Sequence, residues 1–239
     1  MEDHPNAQLV AESAEEELRE HTMTRPQSFI PALAYSGLTR FYDPVVRWTT
    51  RERTIKARFV TQAAIRAGHR VLDLGCGTGT LGVAIKASAP HAEVIGLDAD
   101  EEVLALARNK SAAAGVGISF VRGFATRLPF ADGAFDRVVS SLFFHHLGRE
   151  EKERTLREVH RVLTPEGELH IADWGRPSNP IMRVAFLSVQ FLDGFATTTD
   201  NVRGLLPALI GSCGFTHVLE TQRYATLYGT LSLVRAVRP

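Results

Sequence analysis

The chain has few cysteines, no excess of either charge and no long apolar run. Its two cysteines among 239 residues can build neither a disulfide framework nor a zinc site, and we therefore expect a reducing, cytoplasmic location. Lysine plus arginine number 27, as do aspartate plus glutamate, so no net charge would attract a polyanion and we expect no nucleic-acid partner. No apolar run is as long as a membrane-spanning helix, which needs about 18 residues, and the first residues do not resemble a secretion signal.

Short apolar runs alternate with amphipathic segments from about residue 69 onward. This alternation predicts an α/β fold with a Rossmann-like, doubly wound, seven-stranded sheet that is mostly parallel. A short turn at Tyr228-Gly229 joins the last two strands, which should therefore pair antiparallel. The predicted strands are 70–74, 93–98, 117–122, 135–141, 168–173, 215–223 and 228–236, and the predicted helices are 49–67, 79–89, 100–114, 150–163 and 180–192.

Composition divides the chain into three regions. Residues 1–28 are polar and acidic, which predicts a flexible arm. Residues 29–68 combine aromatic side chains with a predicted helix and form an N-terminal helical cap, and residues 69–239 form the main domain. Within that domain the segment at about 177–205 is predicted to cover the site like a lid. Its helix is apolar all round, so a lid, a core helix and transient contact with a membrane surface stay open as alternatives.

The stretch Val71-Leu72-Asp73-Leu74-Gly75-Cys76-Gly77-Thr78-Gly79 joins a buried strand, a carboxylate and three alternate glycines. Glycines allow a sharp turn and close approach to a ligand, and the helix that follows offers free amide groups. The spacing Gly77-x-Gly79-x-x-Gly82 also matches a dinucleotide site, with Asp98 as the ribose-binding acid. Asp73 would repel a pyrophosphate, however, whereas it would attract an ammonium or a sulfonium group.

Read from Asp73, the stretch resembles motif I of the class I S-adenosylmethionine (SAM) methyltransferases. Residues 94–98, 121–130, 134–147 and 156–169 resemble later segments of the quinone C-methyltransferase-like members of that class, in the same order. The resemblance implies SAM as cofactor and methyl transfer to an oxygen, carbon or nitrogen atom of a small, apolar or aromatic acceptor. It implies that the cofactor contacts Asp73, Gly75, Cys76, Gly77, Gly79, Asp98, Ala99, Gly123, Phe124, Ala125, Ser140 and Ser141.

One residue departs from the pattern of that family. Phe124 stands where the family usually has an aspartate that reads the adenine amino group. A phenyl ring can stack on adenine but cannot accept its hydrogen bond. Packing of Phe124 in the core is the structural alternative.

Two other functions remain as alternatives. One is an NAD(P)-dependent oxidoreductase on a Rossmann fold, but no tyrosine is followed by a lysine four residues on, as a short-chain dehydrogenase of similar length requires. The other is a SAM-binding protein of this fold with non-methylating chemistry.

Three side chains are candidate proton acceptors for an oxygen or carbon acceptor: His145, His146 and Tyr42. Adjacent side chains diverge on a regular element and no further ligand stands at metal spacing, so we expect no metal site at the two histidines. Tyr42-Asp43 resembles the entry segment of quinone methyltransferases, but the Asn and Ser-x-Gly elements expected after it are missing. The sequence sets neither the acceptor atom nor the oligomeric state.

Overall fold

The computed structural model of the protein describes residues 52–239, except for the side chains of residues 52, 53, 192 and 193. The predicted arm, most of the predicted cap and Tyr42 lie outside these residues. The strands are β1 (Arg70–Leu74), β2 (Glu93–Asp98), β3 (Ser119–Arg122), β4 (Phe135–Ser141), β5 (Leu163–Trp174), β6 (Thr216–Thr226) and β7 (Gly229–Val237). The helices are α1 (Glu52–Ala63), α2 (Thr80–Ser88), α3 (Glu101–Ala113), α4 (Arg149–Val162), α5 (Pro180–Ala185), α6 (Leu187–Asp193), α7 (Phe195–Val202) and α8 (Leu206–Ser212).

The strands form one seven-stranded sheet in the order β3-β2-β1-β4-β5-β7-β6. The first five strands pair in parallel, and β7 runs antiparallel to both β5 and β6. The predicted fold class is therefore confirmed. Because parallel strands end at the same edge, the carboxyl ends of β1, β2, β4 and β5 lie side by side, where an open α/β sheet binds its ligands.

Both faces of the sheet are covered, which explains the apolar character of its central strands. Val71 packs with residues of α1 and α2 on one face, whereas Leu72 and Leu74 pack with residues of α4 and α8 on the other. Strand side chains alternate between faces, so the neighbouring Asp73 lies on the face of Val71. This places a carboxylate under α1 and α2 at the edge where ligands bind.

The segment between β5 and β6 differs from the single predicted helix at 180–192. Buried Phe186 separates α5 from α6, and Gly194, with a φ of 93°, separates α6 from α7. The sequence analysis also missed α7 and α8. Phe186 and Val189 pack in the core, whereas Ile181 and Phe191 are 74% and 76% exposed, so the segment has one packed face and one apolar outer face. A lid function and contact with a membrane surface stay predictions.

The boundaries of other elements also differ by a few residues from those predicted. Helix α1 ends at Ala63 because the next residue, Ala64, has a φ of 46°, and β5 begins at Leu163 rather than at 168. Within residues 52–239, no helix combines the length and the apolarity needed to cross a membrane.

Candidate active site

The glycine turn connects the end of β1 with the start of α2. Gly75, Gly77 and Gly79 all have positive φ angles, of 65°, 52° and 75°. Residues with a Cβ atom adopt this conformation at a cost of roughly 1–2 kcal/mol, so glycine fits all three positions. An added Cβ atom would collide with Phe143 at Gly75 but would meet nothing within 4 Å at Gly77. The backbone at Gly77 is therefore open to a ligand.

Asp98 fixes the shape of this turn from the carboxyl end of β2. Its Oδ2 atom accepts a hydrogen bond from the Gly77 amide at 3.0 Å, and its Oδ1 atom accepts one from the Asp100 amide at 3.1 Å. Burial raises the pKa of Asp98 above its ordinary value. Cys76, in the same turn, is buried, and burial raises the pKa of its thiol, so the thiol stays protonated. Asp98 thus joins the turn to the strand beside it.

Asp73 is a buried carboxylate at the end of β1, with an exposed fraction of 2%. Its Oδ2 atom is buried and has no hydrogen-bond partner among residues 52–239. Burial raises the pKa of Asp73 to about 7, although the positive charge of Lys56 on α1 acts to lower it. A carboxylate with an unused buried oxygen suits a cationic ligand, because the ligand supplies the missing charge. The ammonium and sulfonium groups of SAM therefore fit this end of the site.

The predicted adenine-binding residues follow β3. The Gly123 amide donates a hydrogen bond to the Asp98 carbonyl at 3.0 Å, which holds the start of this segment against β2. Phe124 is 48% exposed, whereas the neighbouring Ala125 is buried. The alternative that Phe124 belongs to the core is therefore wrong, and its ring is free to stack on a planar group. Just after β2, the carbonyl of Ala99 accepts a hydrogen bond from the side chain of Arg122, the last residue of β3.

The segment after Ala125 is held against α4. Glu158 accepts a hydrogen bond from the Leu128 amide at 2.7 Å, and Arg161 donates to the carbonyls of Leu128 and Phe130. The same arginine also pairs with Glu158 at 2.8 Å. The segment predicted to bind adenine is therefore held in place by α4, which covers the sheet face of Leu72 and Leu74.

The end of β4 lies beside the glycine turn. Ser140 is fully buried and its hydroxyl donates to the Leu74 carbonyl at 2.9 Å, so this hydroxyl joins β4 to β1. Leu142 has a φ of 54°, which is strained for a branched residue, and its amide donates to the Ala172 carbonyl. A small cavity of about 20 Å³ opens here between α1 and the ends of β4 and β5; its lining is mostly apolar, with Ile55, Phe59, Leu142 and Leu231, and includes Lys56.

His145 forms a buried pair with Asp173, which ends β5. The Nδ1 atom of His145 lies 2.6 Å from the Oδ1 atom of Asp173, and the two side chains are 2% and 1% exposed. The backbone amides of His145 and Trp174 also donate to this carboxylate. Burial acts to raise the pKa of Asp173, but His145 and these amide donors hold it below its ordinary value. Asp173 is therefore ionised and orients the imidazole ring.

His146 follows in a 3-10 turn (Phe144–His146) that leaves β4. Its ring contacts that of His145 in a tilted arrangement, with a centroid distance of 4.0 Å and an interplanar angle of 41°. The expectation that adjacent side chains diverge is wrong here because both residues lie in a tight turn rather than on a regular strand or helix. Burial lowers the pKa of His146 to about 3, with a further contribution from His145, so the ring stays neutral. Within residues 52–239, no group of three or more His, Cys, Asp or Glu could hold a metal ion.

The sequence analysis missed Asp173, although a signal for it exists. The run Ala172-Asp173-Trp174 places an acid near the carboxyl end of a strand, as Asp73 and Asp98 are placed in β1 and β2. It also missed Lys152 on α4, whose fully buried amine donates to the Thr197 carbonyl of α7 at 2.6 Å. Burial lowers the pKa of this amine, while Asp200 and Asp173 act to raise it. Lys152 thus joins α7 to the region of the histidine pair.

Comparison with known proteins agrees with this geometry. A family model described as a methyltransferase domain matches residues 71–167. A demethylmenaquinone methyltransferase from Thermus thermophilus is 37% identical over 157 residues, which are 64% of this chain and 70% of the relative. An uncharacterized methyltransferase, sll0829, from Synechocystis is 34% identical over 72% of this chain and 77% of its own length. The chain spans only about half the length of further demethylmenaquinone methyltransferases, from Deinococcus radiodurans and Lactobacillus johnsonii.

Solved structures show the same fold. The YcgJ protein from Bacillus subtilis superposes with a TM-score of 0.62 and 19% identity, over 77% of this chain and 97% of that chain.

Proposed function

The chain belongs to the class I SAM-dependent methyltransferases, and we propose that it transfers a methyl group to a small, apolar or aromatic acceptor. The observation that carries this proposal is a pair of carboxylates, the buried Asp73 and the half-buried Asp98, on either side of an open glycine turn. When bound, SAM supplies a methyl group already activated by its sulfonium. Asp73 would hold the cationic end, Asp98 the ribose hydroxyls and Phe124 the adenine ring.

For the acceptor we propose a quinone-type aromatic ring. Relatives from three bacteria are named demethylmenaquinone methyltransferases, which supports this chemistry. The Asn and Ser-x-Gly elements expected after Tyr42-Asp43 are missing, so the acceptor is expected to differ from menaquinone precursors in detail.

We propose His145 as the base when the acceptor must lose a proton. Its ring is oriented by ionised Asp173, which would stabilise the imidazolium that forms. His146 has a pKa of about 3 and is too weak a base at neutral pH, so we assign it a role in positioning. Tyr42 remains a second candidate base outside the described residues.

We further propose that the enzyme is cytoplasmic and acts on a small molecule, and its cysteines and its charge balance support this. Cys76 and Cys213 are both free. The balance of 27 basic and 27 acidic residues gives no attraction for nucleic acid. The nicotinamide alternative is not favoured, because the relatives are methyltransferases.

Two measurements test the proposal. Calorimetric titration with SAM and with NAD should give saturable binding of SAM alone, and binding of NAD without SAM would reject the assignment.

In the second measurement the protein is incubated with labelled SAM and with separate pools of quinols, phenols, amines and lipids. We expect label in the quinol or phenol pool. Binding of SAM without transfer to any pool would favour the non-methylating alternative.

A further inference from the structure

A second cavity lies beside the histidine pair, on the side of β6 and β7. Its volume is about 140 Å³. A single water needs roughly 10–15 Å³ on this measure, so the cavity can hold a group the size of a phosphate or a carboxylate. The lining comes from the end of β5, the end of α7, the start of α8 and the last two strands, and it includes Asp173, Arg176, Arg203, Glu220 and Arg223.

Three arginines line this cavity, and two of them, both exposed, have no side-chain partner within the part of the chain that the structure describes. Arg176 and Arg203 make no side-chain hydrogen bond or ion pair with any residue in the range 52–239. Arg223 is paired with Glu220 through its Nε atom at 2.8 Å. Two guanidinium groups at one concave site therefore have unused donors, and guanidinium groups match the paired oxygens of phosphate and carboxylate groups.

The carboxylates of the cavity do not cancel these charges. Glu220 accepts hydrogen bonds from Arg223 and from the Ser232 hydroxyl. Asp173 accepts from His145 and from the Trp174 amide. Both carboxylates are thus occupied by donors of their own, and Arg176 and Arg203 remain for a ligand.

The cavity also has a fixed wall next to the proposed chemistry. The Asn201 side chain is fully buried and donates to the Trp174 carbonyl at 2.9 Å, which holds the end of α7 against β5. Gly175 packs so closely on Ser232 that no Cβ atom would fit there. Asp173 belongs to this lining and to the histidine pair, so a bound anion would lie close to the proposed base.

We propose that this cavity binds an oxyanion, a phosphate or carboxylate group, through Arg176 and Arg203. The anion has two conceivable sources: an acidic group on the acceptor itself, or a free small anion. Only the first source, an acidic group on the methyl acceptor, rests on the proposed function.

The first experiment titrates the full chain with inorganic phosphate at constant ionic strength, without SAM and again with saturating SAM. We expect saturable binding to the unaltered protein and at least tenfold weaker binding to the Arg176→Gln/Arg203→Gln variant. The control variant Arg154→Gln/Arg157→Gln removes the same charge from exposed positions on α4 and should bind as the unaltered protein does. Arg176→Lys/Arg203→Lys, which keeps the charge, should retain more affinity than the glutamine variant. Absence of saturable binding, or equal loss in the control, would overturn the proposal.

A second experiment identifies the source of the anion. Methyl transfer is measured with paired phenolic acceptors that differ only in a carboxylate. If the acceptor supplies the anion, phosphate competes with the carboxylated member, and the Arg176→Gln/Arg203→Gln variant raises KM for that member alone. If phosphate binds without competing, the site takes a free anion. Phosphate binding without methyl transfer to any acceptor would reject the proposed function and leave the anion site intact.

Discussion

The ring of Phe143 lies directly against Gly75, so that an added Cβ atom would stand 2.4 Å from the Cδ2 atom of Phe143. The residue that follows β4 therefore reaches across to the first glycine of the turn after β1. This contact ties the predicted acceptor side of the site to the cofactor side.

A series of alanine substitutions separates the effect of this contact from that of backbone conformation. Gly115→Ala and Gly77→Ala each place a side chain at positive φ in open space and should lower the free energy of unfolding by about 1–2 kcal/mol. Gly75→Ala adds the collision with Phe143, and overpacking costs about 1–3 kcal/mol more. Urea denaturation measures all three variants. Equal losses in the three would contradict a close contact at Gly75.

The raised pKa of Asp73 predicts a pH-dependent affinity for SAM. Below its pKa of about 7 the carboxyl is protonated, so binding a cation must release a proton. Affinity should then rise with pH by up to about tenfold per unit below pH 7 and level off above it. Calorimetry in buffers of different ionisation enthalpy would detect the released proton.

Asp73→Asn serves as the control for that titration. The amide cannot ionise, so this variant should bind SAM weakly and with much less dependence on pH. A slope that persists unchanged in the variant would assign the titration to another group.

Phe124 provides a test of the adenine end. Its side chain is about half exposed, so Phe124→Ala should leave the free energy of unfolding nearly unchanged. Loss of stacking on a base costs about 1–3 kcal/mol, which corresponds to a roughly 5- to 150-fold weaker affinity for SAM. Phe124→Asp, which installs the acid typical of the family, should recover part of that affinity. Leu106→Ala removes another exposed apolar side chain and should not affect binding. Normal SAM affinity in Phe124→Ala would remove Phe124 from the site.

Asp173→Asn tests the histidine pair. Removing one partner of a buried ion pair costs about 3–5 kcal/mol of stability, because the other partner stays buried without a compensating charge. The lowered pKa of Asp173 contributes stability that is present above the ordinary aspartate pKa and lost as the pH falls through the lowered value. That acid-dependent component should be absent from the variant when unfolding is followed between pH 6 and pH 2.

The same variant distinguishes a catalytic base from a purely structural pair. Activity is measured at a temperature at which both proteins are folded. If His145 takes the proton, kcat should fall by about 10²-fold, while KM for SAM changes little. His160→Gln alters a partly buried histidine on the outer part of α4 and should keep kcat. An unchanged kcat in Asp173→Asn would reduce the pair to a structural role.

Local patterns predicted most of the fold. The bounds of β1, β2 and β4 agree with those expected, because central parallel strands appear as short, mostly apolar runs with an acid or a serine at or next to their carboxyl ends. The segment between β5 and β6 could not be read in the same way. Its apolar residues serve two surfaces, and the break at Phe186 accompanies the packing of its ring against Trp174, which belongs to another element.

The site shows a similar division. Motif I pointed to Asp73 and the glycines because their roles depend on the local backbone. The role of Asp173 depends instead on the topology of the sheet, which places β5 beside β4 and brings its carboxylate to His145, 28 residues earlier in the chain.

The helices α5 to α8 all belong to one connection, between β5 and β6. The glycine turn, Asp98 and Phe124 lie instead on β1, β2, β3 and the loops between them. The segment 177–205 carries α5 to α7 of this connection. If this segment covers the acceptor, as the sequence predicts, its exchange for that of a relative should change acceptor preference and leave the cofactor half unaltered. Such chimeras would alter selectivity without a change at the cofactor site.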